Sequence, residues 1–243
     1  MFPLKDNIPT NRLPIVTILL IAANVVVYFF FQHGSFAHGP TTSSVLHYGA
    51  IPAEVTGERS DTGPVAAWVT LFTAMFEHGS ILHLAGNMLF LWIFGATVED
   101  SMSRIRYVAF YLLGGLAAIG LQIAMSPGSA VPTLGASGAI AAVLGGYIVL
   151  YPRARVVTVV FVILLFTLIE LPAWLMLGLW FAEQAVFAAT SLAHPTGGAG
   201  GGIAYFAHVG GFVFGLLAIR LFAQRRKRLP PPSAMGRAGM AYR

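Results

Sequence analysis

Four polar side chains interrupt apolar stretches of this sequence, and together they carry the functional groups of acyl-transfer chemistry. Ser137 lies in a Gly-Ala-Ser-Gly sequence at the start of one apolar run, and His208 lies near the start of another. His83 and Asn87 are one helical turn apart in a third run, which places them on the same face of a helix.

The residue types indicate nucleophilic catalysis. A serine hydroxyl is a weak nucleophile until a base about 2.6–3.2 Å away accepts its proton, and neutral histidine is the usual base near pH 7. We therefore predict that Ser137 is a nucleophile and that His208 is its general base. The Asn87 amide, the His83 imidazole and the backbone N–H of Ser137 at a helix start are suitable donors to an oxyanion.

The composition is that of a membrane protein. The chain has 243 residues, of which 57% are hydrophobic and 9% are charged, and its mean hydropathy is +0.77. Since a soluble domain carries about 25% charged residues, a soluble globule is excluded. The absence of cysteine excludes disulfides, thiolate metal sites, iron–sulfur clusters and a cysteine nucleophile. The net charge of +5 comes from basic residues scattered between apolar runs, so we predict no nucleic-acid partner.

Membrane-spanning helices must therefore position the polar residues. A bilayer core about 30 Å thick needs about 20 apolar helical residues, and seven runs are candidates: 13–32, 81–98, 107–125, 136–151, 156–169, 172–192 and 203–222. Basic residues precede the first run and follow the last, which places both termini in the cytoplasm and requires an even number of crossings. Because run 156–169 is short and rich in β-branched residues, we assign it to no crossing and predict six spans.

The expected fold class is an all-α, polytopic bundle of six transmembrane helices. It consists of a cytoplasmic N-terminus at 1–12, a membrane domain at 13–222, and a basic tail at 223–243 that we predict to be disordered and attracted to anionic lipid. The membrane domain includes an outer loop at 33–80 and a cytoplasmic connection at 152–171. We expect this connection to be interfacial or re-entrant; one long bent element formed with the fifth span is the alternative. In this topology every basic residue except Arg59 lies on the cytoplasmic side.

The same topology places the polar residues at one depth. The second, fourth and sixth spans run from outside to inside, and each carries its polar residues near its beginning. At about 1.5 Å per residue, His208 and Asn87 lie about 8 Å below the outer boundary, and Ser137 lies slightly shallower. No aspartate occurs in the six spans, so a Ser–His dyad is predicted rather than a triad.

Small residues next to these positions allow helix backbones to approach closely. Gly135 and Gly138 flank Ser137, and Gly211 and Gly215 form a G-x-x-x-G pattern after His208. We therefore assign these four glycines to helix packing near the site.

Structural roles remain alternatives for each residue taken singly. The Gly-Ala-Ser-Gly sequence is compatible with plain helix packing, His208 with a buried hydrogen-bonded histidine, and Asn87 with interhelical contact. For Glu183 and Gln184 in the fifth span a structural hydrogen bond is favoured over a role in chemistry. A polytopic transporter or a non-catalytic scaffold that binds membrane helices is the alternative function.

Taken together, the motifs resemble those of rhomboid intramembrane serine proteases over roughly residues 65–222. The resemblance depends on His83-x-x-x-Asn87 in the second span, Gly135-Ala136-Ser137-Gly138 in the fourth, and Ala207-His208-x-x-Gly211-x-x-x-Gly215 in the sixth. Glu77, just before this region's first motif, stands where the family would have an apolar residue.

The resemblance implies a six-helix core with Ser137 as nucleophile, His208 as general base, and His83 and Asn87 as oxyanion donors. It also implies cleavage of single-pass membrane proteins near the outer boundary, with small residues and helix breakers favoured at the cut. No metal or other cofactor is expected. The sequence has no H-E-x-x-H motif to hold a metal-bound water, and it has no pair of membrane aspartates for an aspartyl protease mechanism. The glycine-rich segment 197–202 is either a lid over the site or a slack connector.

Overall fold

A computed structural model describes residues 2–61, 63–162, 165–193 and 204–224. The chain is mostly helical, and the expected class of an all-α polytopic membrane bundle is confirmed. The glycine-rich segment 197–202 and the tail from residue 225 lie outside the described residues, so the expectations for both stay predictions.

The long helices agree with six of the seven apolar runs to within about three residues, the usual uncertainty of helix ends. They are α1 (Ile15–Val26, continued by a π-helical turn at Val27–Phe31), α5 (Ile81–Phe90, continued by a π-helical turn at Leu91–Gly95 and by α6 at Ala96–Glu99), α7 (Arg104–Met125), α8 (Ser137–Leu150), α9 (Ala173–Ala193) and α10 (Tyr205–Phe222). Three short helices, α2 (Thr42–Tyr48), α3 (Pro52–Val55) and α4 (Ala67–Thr73), lie in the predicted outer loop.

Length and hydropathy separate the long helices into two groups. Within the described part of the chain, four are long and apolar enough to cross a membrane: Ile81–Glu99, Arg104–Met125, Ala173–Ser191 and Tyr205–Phe222. Ile15–Phe31 and Ser137–Leu150 are apolar but shorter. At about 1.5 Å per residue, the 14 residues of α8 extend about 21 Å, which is less than the thickness of a bilayer core.

Glycine contacts give the relative directions of α7, α8 and α10. A Cβ atom built on Gly138 in α8 would lie 2.6 Å from Ala118 Cβ in α7, whereas Gly114, one turn earlier in α7, faces Ala142, one turn later in α8. The two helices are therefore antiparallel. Along α8 and α10 the contacts advance together, from Gly138 beside Gly211 to Gly146 beside Ile219, so these two helices are parallel.

The described residues of run 156–169 form strands. Strand β2 (Arg155–Val162) pairs antiparallel with β3 (Leu165–Pro172) and, on its other side, with β1 (Phe2–Asp6). The alternative of one long bent element with the fifth span is therefore wrong. The β-branched valines favour this extended conformation, and Val156 and Thr158 are fully buried.

The N-terminal strand is fixed to the helices by a partly buried carboxylate. Asp6 Oδ2 accepts hydrogen bonds from Thr97 Oγ1 and from the Tyr147 hydroxyl, both at 2.8 Å. Glu99, at the end of α6, similarly accepts from the first N–H groups of α1: Val16 N at 3.0 Å and Thr17 N at 2.8 Å. These contacts fix the starting end of α1 against the end of α6.

Candidate active site

Ser137 is the first residue of α8, and a turn at Gly135 places it there. Gly135 has a φ of 123°, a backbone conformation that glycine adopts without a steric penalty. Its N–H donates to the Ala74 carbonyl oxygen at 2.8 Å, which joins the turn to the loop before α5. A Cβ atom at Gly135 would lie 2.9 Å from His83 Cε1 and 3.4 Å from Ser137 Oγ. Gly135 therefore leaves open the space between the His83 ring and the serine hydroxyl.

His208 lies opposite Ser137 in the first turns of α10. Its Nε2 is 2.8 Å from Ser137 Oγ, although the two residues are 71 positions apart. The close packing of α8 and α10 produces this contact, because a Cβ atom on Gly211 would overlap the Gly138 carbonyl oxygen, and one on Gly215 would overlap the Ala142 carbonyl oxygen. The structure thus brings Ser137 and His208 together and places Gly211 and Gly215 at the contact between α8 and α10.

The other nitrogen of the His208 ring contacts α9. Its Nδ1 lies 2.6 Å from Gln184 Oε1, and the Trp180 ring packs against the imidazole with centroids 5.8 Å apart. The sequence favours a structural hydrogen bond for Gln184 and does not connect this residue with His208. Gln184 is one helical turn after Trp180, which indicates that the two residues share a face of the helix. The sequence of an apolar helix does not reveal which face points inward. Glu183, the residue before it, is exposed.

His83 lies beside the turn that precedes the serine. The Gly79 N–H is 3.4 Å from His83 Nδ1, and a Cβ atom at Gly135 would lie 3.0 Å from His83 Nε2. With Nδ1 accepting from Gly79, Nε2 carries the proton and is a donor beside the serine turn.

Asn87 is one turn further along α5, and its side chain is 8% exposed. Its Nδ2 is buried and has no hydrogen-bond partner among the described residues. An unpaired buried donor is costly, so it needs an explanation such as a ligand that binds there.

A small pocket opens beside Ser137. Its lining consists mainly of small or flexible residues, and they include Met75, Gly115, Thr133, Gly138, Ala204 and Ala207. Neither a charged side chain nor an aromatic ring is among the described residues that line it, so the pocket suits a small apolar group.

A second buried cluster lies in the loop before α5. Gln32, at the end of the α1 continuation, exchanges hydrogen bonds with the backbone N–H and carbonyl of His78 at 2.8 and 3.1 Å. Burial, with a smaller contribution from His83, lowers the pKa of His78 to about 3, so the ring is neutral at pH 7. The adjacent Glu77 accepts from Ser44 Oγ at 3.1 Å, and burial raises its pKa to about 7. This cluster fixes the loop that leads to His83.

The helical bundle with a partly buried Ser–His contact defines a class of polytopic membrane protein. A sequence profile of the Rhomboid domain matches residues 65–225, well over half of the chain. The chain therefore belongs to the rhomboid family, as its motifs predicted.

Individual relatives match shorter stretches. Rhomboid protease GluP of Bacillus subtilis is 31% identical over 136 residues, which cover 56% of this chain and 24% of that protein. Rhomboid protein 1, mitochondrial, of Saccharomyces cerevisiae is 29% identical over 160 residues, or 63% of this chain and 41% of that protein. Presenilin-associated rhomboid-like protein, mitochondrial, of Mus musculus is 30% identical over 99 residues, or 40% and 26%. The chain thus spans less than half the length of each of these relatives.

Proposed function

We propose that this protein is an intramembrane serine endopeptidase that uses a dyad of Ser137 and His208. The observation that carries the proposal is the 2.8 Å contact between Ser137 Oγ and His208 Nε2. Membership of the rhomboid family and the similarity to a named rhomboid protease support the same reaction class.

The positions of the two side chains support the following reaction. Ser137 Oγ attacks the scissile carbonyl carbon while His208 Nε2 accepts the hydroxyl proton. The resulting oxyanion is stabilised by His83 Nε2–H, the Asn87 amide and the N–H groups at the start of α8. When the tetrahedral intermediate collapses, His208 protonates the departing amine, and water then hydrolyses the acyl-enzyme. The unpaired Nδ2 of Asn87 is a donor without any other described use.

The proposed substrates are single-pass membrane proteins, cut near the outer boundary of the membrane. The pocket beside Ser137 is lined by small residues and suits a small side chain next to the cut bond. A transmembrane helix hides its carbonyls in internal hydrogen bonds, so the substrate must unwind locally, which favours helix breakers near the cut.

The proposed location is the cell membrane, with both termini in the cytoplasm and the Ser137 end of α8 toward the outside. The distribution of basic residues supports this orientation. Because the chain has no cysteine, single-cysteine variants can test it. In intact cells an impermeant maleimide should label Ser60→Cys and should label Arg104→Cys only after lysis; the reverse pattern would overturn the orientation.

A reconstituted cleavage assay tests the chemistry. The protein in liposomes is incubated with a model single-pass substrate, and the wild type is compared with Ser137→Ala and His208→Ala. Each variant should lose roughly 10³-fold or more in cleavage rate, since the serine nucleophile and its histidine base act together in the same step. Ser191→Ala and His38→Ala are matched controls that should cleave at the wild-type rate. Undiminished cleavage by Ser137→Ala, or a fluorophosphonate label on any residue other than Ser137, would overturn the proposal.

A further inference from the structure

Gln184 is a buried amide in the mostly apolar helix α9. Its side chain is 7% exposed, while the side chains of Glu183 and Val186 are exposed. Burying an amide in an apolar environment is unfavourable unless it is hydrogen-bonded. The 2.6 Å contact with His208 Nδ1 supplies the hydrogen bond and accounts for the position of this residue.

Aromatic contacts on both sides of Gln184 fix it against α10. Before it in α9, the Phe181 ring stacks on Phe212 with centroids 4.5 Å apart and planes 17° apart. After it, the Phe187 ring stacks on Tyr205 at 5.1 Å. Rotation of α9 about its axis would break both stacks, so the Gln184 amide is directed at His208 by the packing of the two helices.

The position of the contact determines which imidazole nitrogen carries the proton. A neutral imidazole has one N–H donor and one acceptor nitrogen. If the Gln184 carbonyl oxygen accepts from Nδ1–H, then Nε2 has the lone pair, and that lone pair faces the Ser137 hydroxyl at 2.8 Å. If the Gln184 NH₂ group donated to Nδ1, the proton would be on Nε2 and the ring could not accept the serine proton.

We propose that Gln184 is a positioning residue that holds His208 in the tautomer and ring orientation needed to accept the Ser137 proton. This inference rests on the proposed function. Within the described part of the chain, no carboxylate oxygen lies within hydrogen-bonding distance of His208. An amide oxygen does the work of the aspartate in a Ser–His–Asp triad without placing a charge in the bilayer.

Variants that change only the hydrogen-bonding capacity of residue 184 test the inference. Gln184→Leu keeps much of the volume but removes the acceptor, and Gln184→Glu keeps an acceptor oxygen at the same distance. Glu183→Leu changes an exposed neighbour in the same helix and is the matched control. For each variant in detergent, the rate of Ser137 acylation by a fluorophosphonate and the kcat and KM for a model substrate are measured against pH, together with the thermal unfolding temperature.

We expect Gln184→Leu to lower kcat and the acylation rate by roughly 10- to 100-fold, as removal of an outer group that orients a histidine does in other sites, with KM unchanged. Gln184→Glu should restore most of the rate, because a carboxylate can accept but not donate, and its pH profile should be shifted relative to the wild type. Glu183→Leu should match the wild type.

The outcomes separate this inference from the proposed function. If Gln184→Leu retains the wild-type rate while Ser137→Ala is inactive, the dyad stands and the role of Gln184 is wrong. If Gln184→Leu lowers only the unfolding temperature and the rate per folded molecule is unchanged, Gln184 is a structural contact and the inference is also overturned. If Ser137→Ala keeps its activity, the proposed function fails first.

Discussion

Gly211 in α10 lies against the carbonyl oxygen of Gly138 in α8, so closely that a Cβ atom on Gly211 would overlap that oxygen. Gly138 follows Ser137 directly, and Gly211 is one helical turn after His208. The distance between the two helix backbones at this point therefore sets the distance between the serine hydroxyl and the imidazole.

Gly211→Ala should both destabilise the protein and slow acylation of Ser137. The added methyl group forces α8 and α10 apart, and overpacking of this kind costs about 1–3 kcal/mol. Thermal unfolding in detergent and fluorophosphonate labelling measure the two effects. Gly120→Ala in α7 is the matched control, because a Cβ atom there meets nothing within 4 Å, and it should be as stable as the wild type or slightly more so. Equal stability of the two variants would contradict the close approach.

Asn87→Ala should slow acylation without destabilising the fold. Loss of one oxyanion donor lowers the rate by about 10²–10³-fold. Since Asn87 Nδ2 has no partner among the described residues, its removal deletes an unsatisfied buried group. An interhelical contact, the alternative that the sequence left open, would have the opposite effect, with lower stability and an unchanged rate per folded molecule. Acylation rates and unfolding temperatures, measured on the same preparations, distinguish the two roles.

Glu99→Ala should destabilise the whole bundle. Its carboxylate accepts from Val16 N, Thr17 N and Thr17 Oγ1 at 2.8–3.0 Å, and its side chain is 5% exposed. The substitution leaves these buried donors unpaired, at a cost of about 2–4 kcal/mol. Glu58→Ala, at an exposed position, should leave the unfolding temperature unchanged. If both variants unfold at the same temperature, Glu99 does not fix α1.

The sequence predicted the parts of this structure that depend on local pattern. Apolar runs gave six long helices close to their true ends, and the polar residues at the starts of the second, fourth and sixth runs included the pair that the structure brings into contact. Residues 155–172 were harder, because a short run of valine, isoleucine and threonine is compatible with several conformations. Their pairing with the N-terminal strand joins positions about 150 residues apart, and no local pattern encodes it.

The direction in which side chains point from an apolar helix was the second feature that the sequence could not predict. The contact of Gln184 with His208, and of Glu99 with the start of α1, depends on which face of an apolar helix points inward. A helix that is hydrophobic all round has no polar face from which to infer this direction. Gln184 follows Glu183 and Glu99 precedes Asp100, so the sequence shows polar residues at both places, but only the packing of neighbouring helices identifies their partners.

Glu77→Gln should change how stability depends on pH. Glu77 lies outside the long helices, is 3% exposed, accepts from Ser44 Oγ, and precedes the neutral ring of His78. Burial raises its pKa from 4.5 to about 7. Because the folded state binds this proton more tightly than the unfolded state, its contribution to stability is fully present below pH 4.5 and is lost as the pH rises to about 7.

Glutamine imitates the protonated carboxyl group and does not ionise, so the variant should lack this loss. The stability of Glu77→Gln relative to the wild type should therefore increase between pH 5 and pH 8, by about 1–2 kcal/mol after allowance for solvent screening. Thermal or denaturant unfolding in detergent at several pH values measures the difference. His78 is present in both proteins, so its contribution cancels when their stabilities are compared. Glu58→Gln, at an exposed position, should give a flat difference. If the difference for Glu77→Gln were flat as well, the carboxyl group of Glu77 would not be buried in the folded protein.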